Sequence, residues 1–191
     1  MMNLFVLLVL LYPAIVDVKS TVEQDCLILH NRLRARHAVP DLQLSSSLCE
    51  DCQAYAAQVM AKSQVLEHSQ NEGNYTENIE VTIGNPLKSV KKWYDEIEYY
   101  NFHQPGYSED TCHFTALVWK SSEMFGYGQA DDSEGKTYLV ARYVPAGNQE
   151  GKYRENVRKL RRRSMRNKGI CLFVNFHNFV IAQITILLLY H

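Results

Sequence analysis

Two histidines and two glutamates stand apart along this chain of 191 residues: His68 in LEHS, Glu77 in TENI, Glu96 in WYDEI and His113 in CHFTALVWK. A neutral imidazole nitrogen suits zinc, and a nearby carboxylate fixes the tautomer of the ring that carries it. The same four groups could instead form an acid/base cluster. Spacing alone leaves a plainer reading open, in which four polar residues are each satisfied separately.

Other chemistry-bearing patterns fail. Gly135-Lys136-Thr137 resembles the end of a phosphate-binding loop, but Ala130 stands where the leading glycine belongs and no strand-loop-helix order surrounds it. There is no Gly-x-Ser-x-Gly elbow and no His-Glu-x-x-His helix. Cys49-x-x-Cys52 has no second pair to complete a zinc ribbon. On a helix its Cβ atoms lie ~5–6 Å apart, beyond the ~3.5–4.5 Å that a disulfide tolerates. Cys52 therefore reads as a small hydrophobic core residue. The five cysteines, 26, 49, 52, 112 and 171, are too few and too irregular for a disulfide-built fold.

The elements that must position the four residues follow from periodicity. Ser20-x-x-Glu23 predicts a helix start, and Val22, Cys26, Leu29 and Leu33 recur on one face until the helix ends near His37, ahead of Pro40. A second helix is predicted from Ser47-x-x-Glu50 to about Lys62, with Leu48, Cys52, Tyr55 and Val59 on its stripe. Asn85-Pro86 predicts a third, carrying Leu87, Val90, Tyr94 and Ile97 on one side and Trp93 and Tyr100 on the other, so that both sides are covered. Strands are predicted over Ile79–Ile83, Met124–Ala130 and Tyr138–Val144, the last two joined by a polar turn into an antiparallel hairpin. Helices ahead of a hairpin predict an α+β architecture. CHFTALVWK is ambiguous between helix and strand by periodicity.

The length and the 46% hydrophobic, 21% charged composition fit one domain plus extensions. The net charge of −1 conceals an acidic body, with 10 Lys/Arg against 19 Asp/Glu over residues 21–150, and a basic stretch, with 9 Lys/Arg and only Glu155 over residues 151–168. Residues 1–20 read as a cleaved signal peptide, because the apolar run from Leu4 to Leu11 is too short to span a membrane and Val18-Lys19-Ser20 suits a peptidase. The sequon Asn74-Tyr75-Thr76 agrees with export and makes Asn74 a glycosylation candidate. The basic stretch lacks aromatic interleaving and nucleic-acid motifs, so no nucleic-acid partner is expected. The apolar tail 170–191 is interrupted by five polar residues and makes a poor span. The division is therefore 1–20 leader, 21–158 domain, and 159–191 basic then hydrophobic extension.

HFTALVW, then GYGQ, then YLVARYVPAGN resembles the two signature blocks of the CAP superfamily of cysteine-rich secretory proteins, antigen 5 and pathogenesis-related 1 proteins. HNRLRARHAVPDLQLSSSL resembles that family's first helix and following turn, while WYDEIEYYNFHQPGYSEDTCHFTALVWKSS and VARYVPAGNQEGKYRENV look especially like its Golgi-associated plant pathogenesis-related branch. The resemblance runs from about Glu23 to Arg158.

It implies an α-β-α sandwich with a central antiparallel sheet between helices, and a cleft tetrad of His68, Glu77, Glu96 and His113. It also implies that CHFTALVWK is mostly helical, with His113 facing the cleft and Phe114, Leu117 and Val118 packed inward. The two histidines would hold a divalent cation such as Zn2+. Ala141 stands where many secreted members have cysteine, which points to a disulfide-poor, usually intracellular and often acylated branch. Met2 replaces the glycine that such acylation needs, so the leader decides for secretion, with membrane association through the C-terminal tail as the alternative.

Two functions fit. One is a non-enzymatic secreted binding module for lipid, sterol, an anionic membrane surface or another protein, with Trp93, Tyr94, Tyr99, Tyr100, Phe102 and Tyr107 offering aromatic surface, although Trp93 and Tyr94 read as core. The other is a zinc-dependent hydrolase in which Glu77 or Glu96 acts as base. Zinc catalysis ordinarily uses three protein ligands plus water, so a glutamate spent as the third ligand is lost as a base. The sequence favours binding.

Overall fold

The computed structural model describes residues 20–161 except 71 and 72. The leader reading over 1–20, but for Ser20, lies outside the described residues, as do most of the extension and Cys171. No helix among the described residues is long and apolar enough to cross a membrane.

Helix α1, Val22–Ala35, is capped by Thr21, whose hydroxyl accepts from the Gln24 N–H while the Gln24 side chain accepts from the Thr21 N–H. Its capping box thus sits one residue later than the sequence suggested, since Gln serves as well as Glu. Its buried face is Cys26, His30, Leu33 and Arg34, continued by His37. Val22 and Leu29, expected on the core stripe, are only partly buried. Polar side chains took inward positions because each found partners there, as described below.

A two-residue strand β1, Gln43–Leu44, precedes α2, Ser46–Tyr55, which is capped by the Ser45 hydroxyl rather than at Ser47. The helix runs on into a π-helical stretch, Ala56–Ala61. Its wider i→i+5 turn carries the buried row through Cys52, Ala56, Met60 and Ala61 and leaves Val59, expected inside, 42% exposed. Strand β2 runs over Thr76–Thr82, starting earlier than its apolar run; Ile83 lies beyond it and is 77% exposed. Helix α3, Leu87–Asp95, begins where the Asn85 side chain accepts from the Leu87 N–H. Val90, Trp93, Tyr94 and Tyr100 are all buried, so it is covered on both sides. The stretch CHFTALVWK opens with a helix, α4, Cys112–Leu117, burying Phe114, Leu117 and Val118. Strands β3, Met124–Asp131, and β4, Thr137–Val144, form the hairpin, and a short α5, Tyr153–Asn156, follows.

The sheet order is β1-β3-β4-β2. All pairings are antiparallel except β1 with β3, which is parallel, so the expected antiparallel sheet is a mixed one. A strand of two residues carries no alternation for a sequence pattern to register. Side chains of β4 alternate between two cores. Tyr138 and Val140 join Cys52, Ala56, Met60 and Ile79 on the α2 face, while Leu139, Ala141 and Tyr143 join residues of α1, α3 and α4 on the other. The fold is an α-β-α sandwich.

The GYGQ motif explains how close α2 can lie. A Cβ on Gly128 would fall 2.2 Å from the Gln53 nitrogen, and one on Gly126 would fall 2.7 Å from the Leu48 carbonyl carbon. Only a backbone without side chains on that face admits the helix.

Candidate functional site

The structure joins the four sequence-selected residues two by two. Glu77 lies near the start of β2 with its side chain 2% exposed. One of its oxygens accepts from the Ser69 N–H at 2.9 Å and from His68 Nδ1 at 3.1 Å; the other accepts from the Ser69 hydroxyl at 2.7 Å and from Arg142 Nε at 2.9 Å. Burial alone would raise this carboxyl, but the donors of His68, Ser69 and Arg142 outweigh it and hold the pKa at about 2. Arg142 is in turn clamped between rings, its guanidinium carbon 4.4 Å from the centre of Tyr75 and 5.3 Å from that of Tyr55.

Glu96, just after α3, makes the second pair. One oxygen accepts from His113 Nδ1 at 2.7 Å, and the other accepts from the backbone N–H groups of His113 and Phe114 at 3.0 Å each. The carboxylate thus caps the first turn of α4, where unsatisfied N–H groups favour an anion. The His113 ring stacks on Trp93 with 14° between planes. Burial disfavours its charged form, but Cys112 Sγ and Glu96 beside it prevail, and its pKa is raised above the ordinary 6.5.

The two pairs are tied to consecutive residues of one strand. Next to Glu77, Asn78 donates to the His113 carbonyl at 3.0 Å and to the Tyr143 hydroxyl at 3.2 Å. Tyr143 donates to His30 Nε2 at 2.9 Å, and His30 Nδ1 donates to the Cys26 carbonyl at 2.8 Å. Burial depresses His30 to about 4, so the ring is neutral and keeps this tautomer. From the other side Asn148, at a positive φ of 54°, donates to the Cys112 carbonyl and accepts from the Thr115 hydroxyl. Helix α4 is therefore gripped at both flanks, which fixes His113.

Sequence reasoning missed Ser69, Asn78, Arg142, Tyr143, His30 and Asn148 as supports. One signal was available: Arg142 interrupts the apolar run YLVARYV, and a charge inside a buried strand requires a partner. Of the proposed aromatic surface, Trp93, Tyr94 and Tyr100 are core, Phe102 packs on Tyr100 and Phe114, and Tyr99 and Tyr107 are exposed. Asn74 is exposed.

For a cation, Nδ1 of both His68 and His113 is held by a carboxylate, which leaves Nε2 as the ligating nitrogen; in His113 the same Glu96 favours the protonated ring, so a cation there must first displace the Nε2 proton. Among the described residues no group of three or more His, Cys, Asp or Glu side chains could hold a metal. The set does not fit a three-ligand catalytic zinc. Both carboxylates have every oxygen engaged as hydrogen-bond acceptor, so neither is positioned as a free base.

A separate surface feature lies between α1 and α3. A groove of 290 Å³ is lined by Leu29, Leu33 and Leu87, with Arg36, Lys88 and Lys91 beside them. The Arg36 guanidinium lies 4.8 Å over the Tyr94 ring.

The sandwich belongs to a known class: the chain is a member of the CAP, or cysteine-rich secretory protein, family, whose profile matches residues 27–143. Among its relatives, Golgi-associated plant pathogenesis-related protein 1 of Homo sapiens is 41% identical over 139 residues, which is 70% of this chain and 90% of that protein. Three fungal relatives at 35% identity are longer, and the chain spans less than half of each. In three dimensions, Schistosoma mansoni venom allergen-like protein 4 superposes with a TM-score of 0.57 at 18% identity, covering 72% of this chain and 96% of that one. NaASP2, whose structure was solved with Zn2+, gives 0.54 at 20% identity, covering 72% and 85%.

Proposed function

We propose that this protein is a non-enzymatic binding module whose ligand is an amphiphile with an anionic head, a lipid or sterol derivative or the surface of an anionic membrane. The observation that carries this reading is the groove between α1 and α3, where an apolar floor of Leu29, Leu33 and Leu87 adjoins the cations Arg36 and Lys88, with Lys91 at its edge paired to Asp95 at 2.9 Å. An aliphatic chain laid on the floor leaves water, while its head meets positive charge. Cations near an anionic surface contribute about 1 kcal/mol each; with Lys91 already paired to Asp95, loss of the Arg36 and Lys88 contributions alone weakens association by at least about 30-fold. In the same proposal His68 and His113 hold a divalent cation through Nε2, loosely, as a structural rather than a catalytic ion. The leader-like residues 1–20 and the sequon at Asn74 support export.

Co-sedimentation with vesicles containing phosphatidylserine, at low and high salt, tests the reading. The native chain should pellet with anionic and not with neutral vesicles, and Arg36→Glu/Lys88→Glu/Lys91→Glu should stay in solution. Equal binding by both proteins would remove the groove from the account. Turnover of ester or peptide libraries abolished by Glu96→Gln would overturn the non-enzymatic reading.

A further inference from the structure

The segment by which the chain leaves the domain is held by a histidine. His37 lies just past α1, 1% exposed. Its Nδ1 donates to the Arg158 carbonyl at 2.5 Å, and its Nε2 accepts from the Tyr94 hydroxyl at 2.9 Å. Arg158 answers by donating through Nη1 to the Ala38 carbonyl at 3.0 Å. Val157 beside it is buried, and its N–H donates to the Tyr153 carbonyl. Together these contacts tie the end of α5 to the turn after α1.

This arrangement needs neutral imidazole, because one ring nitrogen donates while the other accepts. Added protons turn Nε2 into a donor aimed at Tyr94, whose buried hydroxyl then loses its acceptor. The surroundings do not welcome a cation. Just past α1 lies Arg36, whose guanidinium sits over the Tyr94 ring; from the exit segment comes Arg158, and from α3 Tyr94, followed by Asp95, which is already bonded to Lys91; α4 contributes the uncharged ring of Phe114. Burial first, and Arg36 second, hold the His37 pKa below 6.5 against the favourable Arg158 carbonyl.

We infer that His37 is an acid-sensitive latch, and that charging it releases the exit segment around Val157 and Arg158 from α1. The exit as far as Lys159 is thereby freed from its tether in an acidic setting. Neutral His37 stabilises the closed state fully above about pH 6.5; that contribution falls as pH drops below this value, by up to about tenfold in the opening equilibrium per pH unit.

Amide exchange of the full chain, read at Asn156 and Val157 between pH 7.5 and 4.5 and corrected for intrinsic rates, tests the latch. Protection should fall by up to tenfold per pH unit below about 6.5, while amides of β4 keep theirs. His37→Gln, whose amide can donate and accept in the same way without titrating, should show flat protection. Should this variant not fold, the His37 ring proton signal followed by NMR decides independently. A midpoint at or above 6.5, or a flat native profile, or the same pH-dependent loss in His37→Gln, overturns the inference.

Discussion

Removing the charge of Glu77 is the most demanding perturbation of the site, because this carboxylate has four donors and almost no water. Its carboxyl ordinarily titrates at 4.5 and is held here at about 2. A group whose folded value is depressed adds stability that is complete above its unfolded value and is lost as pH falls through the folded one. At roughly 1.36 kcal/mol per pH unit, the folded chain loses about 3 kcal/mol from this group alone between pH 4.5 and 2. Glu77→Gln keeps the shape but strands the buried guanidinium of Arg142, for which about 3–5 kcal/mol is the usual cost of a broken buried pair. Against a domain stability of about 5–15 kcal/mol, that is large. Urea unfolding of both proteins across pH 2–7 measures it. The native chain should be more stable at pH 7, with the gap closing steeply below pH 4.5. Parallel curves throughout the acid range would refute the reasoning, because the charge of Glu77 would then stabilise nothing. Adding Arg142→Met to Glu77→Gln should recover part of the loss, since the stranded cation is gone.

Three further outcomes are expected. Gly128→Ala should lower the free energy of unfolding, measured in denaturant titration, by about 1–3 kcal/mol or more, because its methyl group would meet the backbone of α2 rather than a movable side chain. Arg34→Met should cost at least about 3 kcal/mol in denaturant titration, as it strands the carbonyls of Pro40, Leu117, Trp119 and Ser122 that the buried guanidinium serves at 2.8–3.0 Å. If the two imidazoles share one cation, His68→Ala and His113→Ala should each abolish the heat of zinc binding in calorimetry, and the double variant should add nothing. Independent heats for the two single variants would separate the sites.

Much of this architecture was readable from periodicity, and the exceptions have physical causes. The β3-β4 hairpin appeared because polar turn residues separate two apolar strands. Helix α3 appeared because Asn85-Pro86 marks its start. The face of α1 was half misread, since His30, Arg34 and His37 face inward and each is satisfied by a carbonyl or hydroxyl contributed from elsewhere in the fold. No local pattern announces such partners. The register of α2 was misread at Val59 because a π-helical turn changes the period without a residue type that marks it. The four residues His68, Glu77, Glu96 and His113 were legible as a set, and resemblance made them one tetrad; that they join two by two came only from the fold, and the supports Asn78 and Arg142 needed strand register: Arg142 lies directly opposite Glu77 across β2 and β4.

Arg34 carries one more consequence. Cys26, Cys49, Cys52 and Cys112 are free thiols, and the loops that small disulfide-rich domains fasten covalently are fastened here by one guanidinium reaching carbonyls up to 88 positions away. Such a fastening is indifferent to glutathione and needs no oxidative folding machinery. The domain keeps the same fastening in a reducing cytosol and in an oxidising lumen, so passage between compartments does not require its loops to be re-tied.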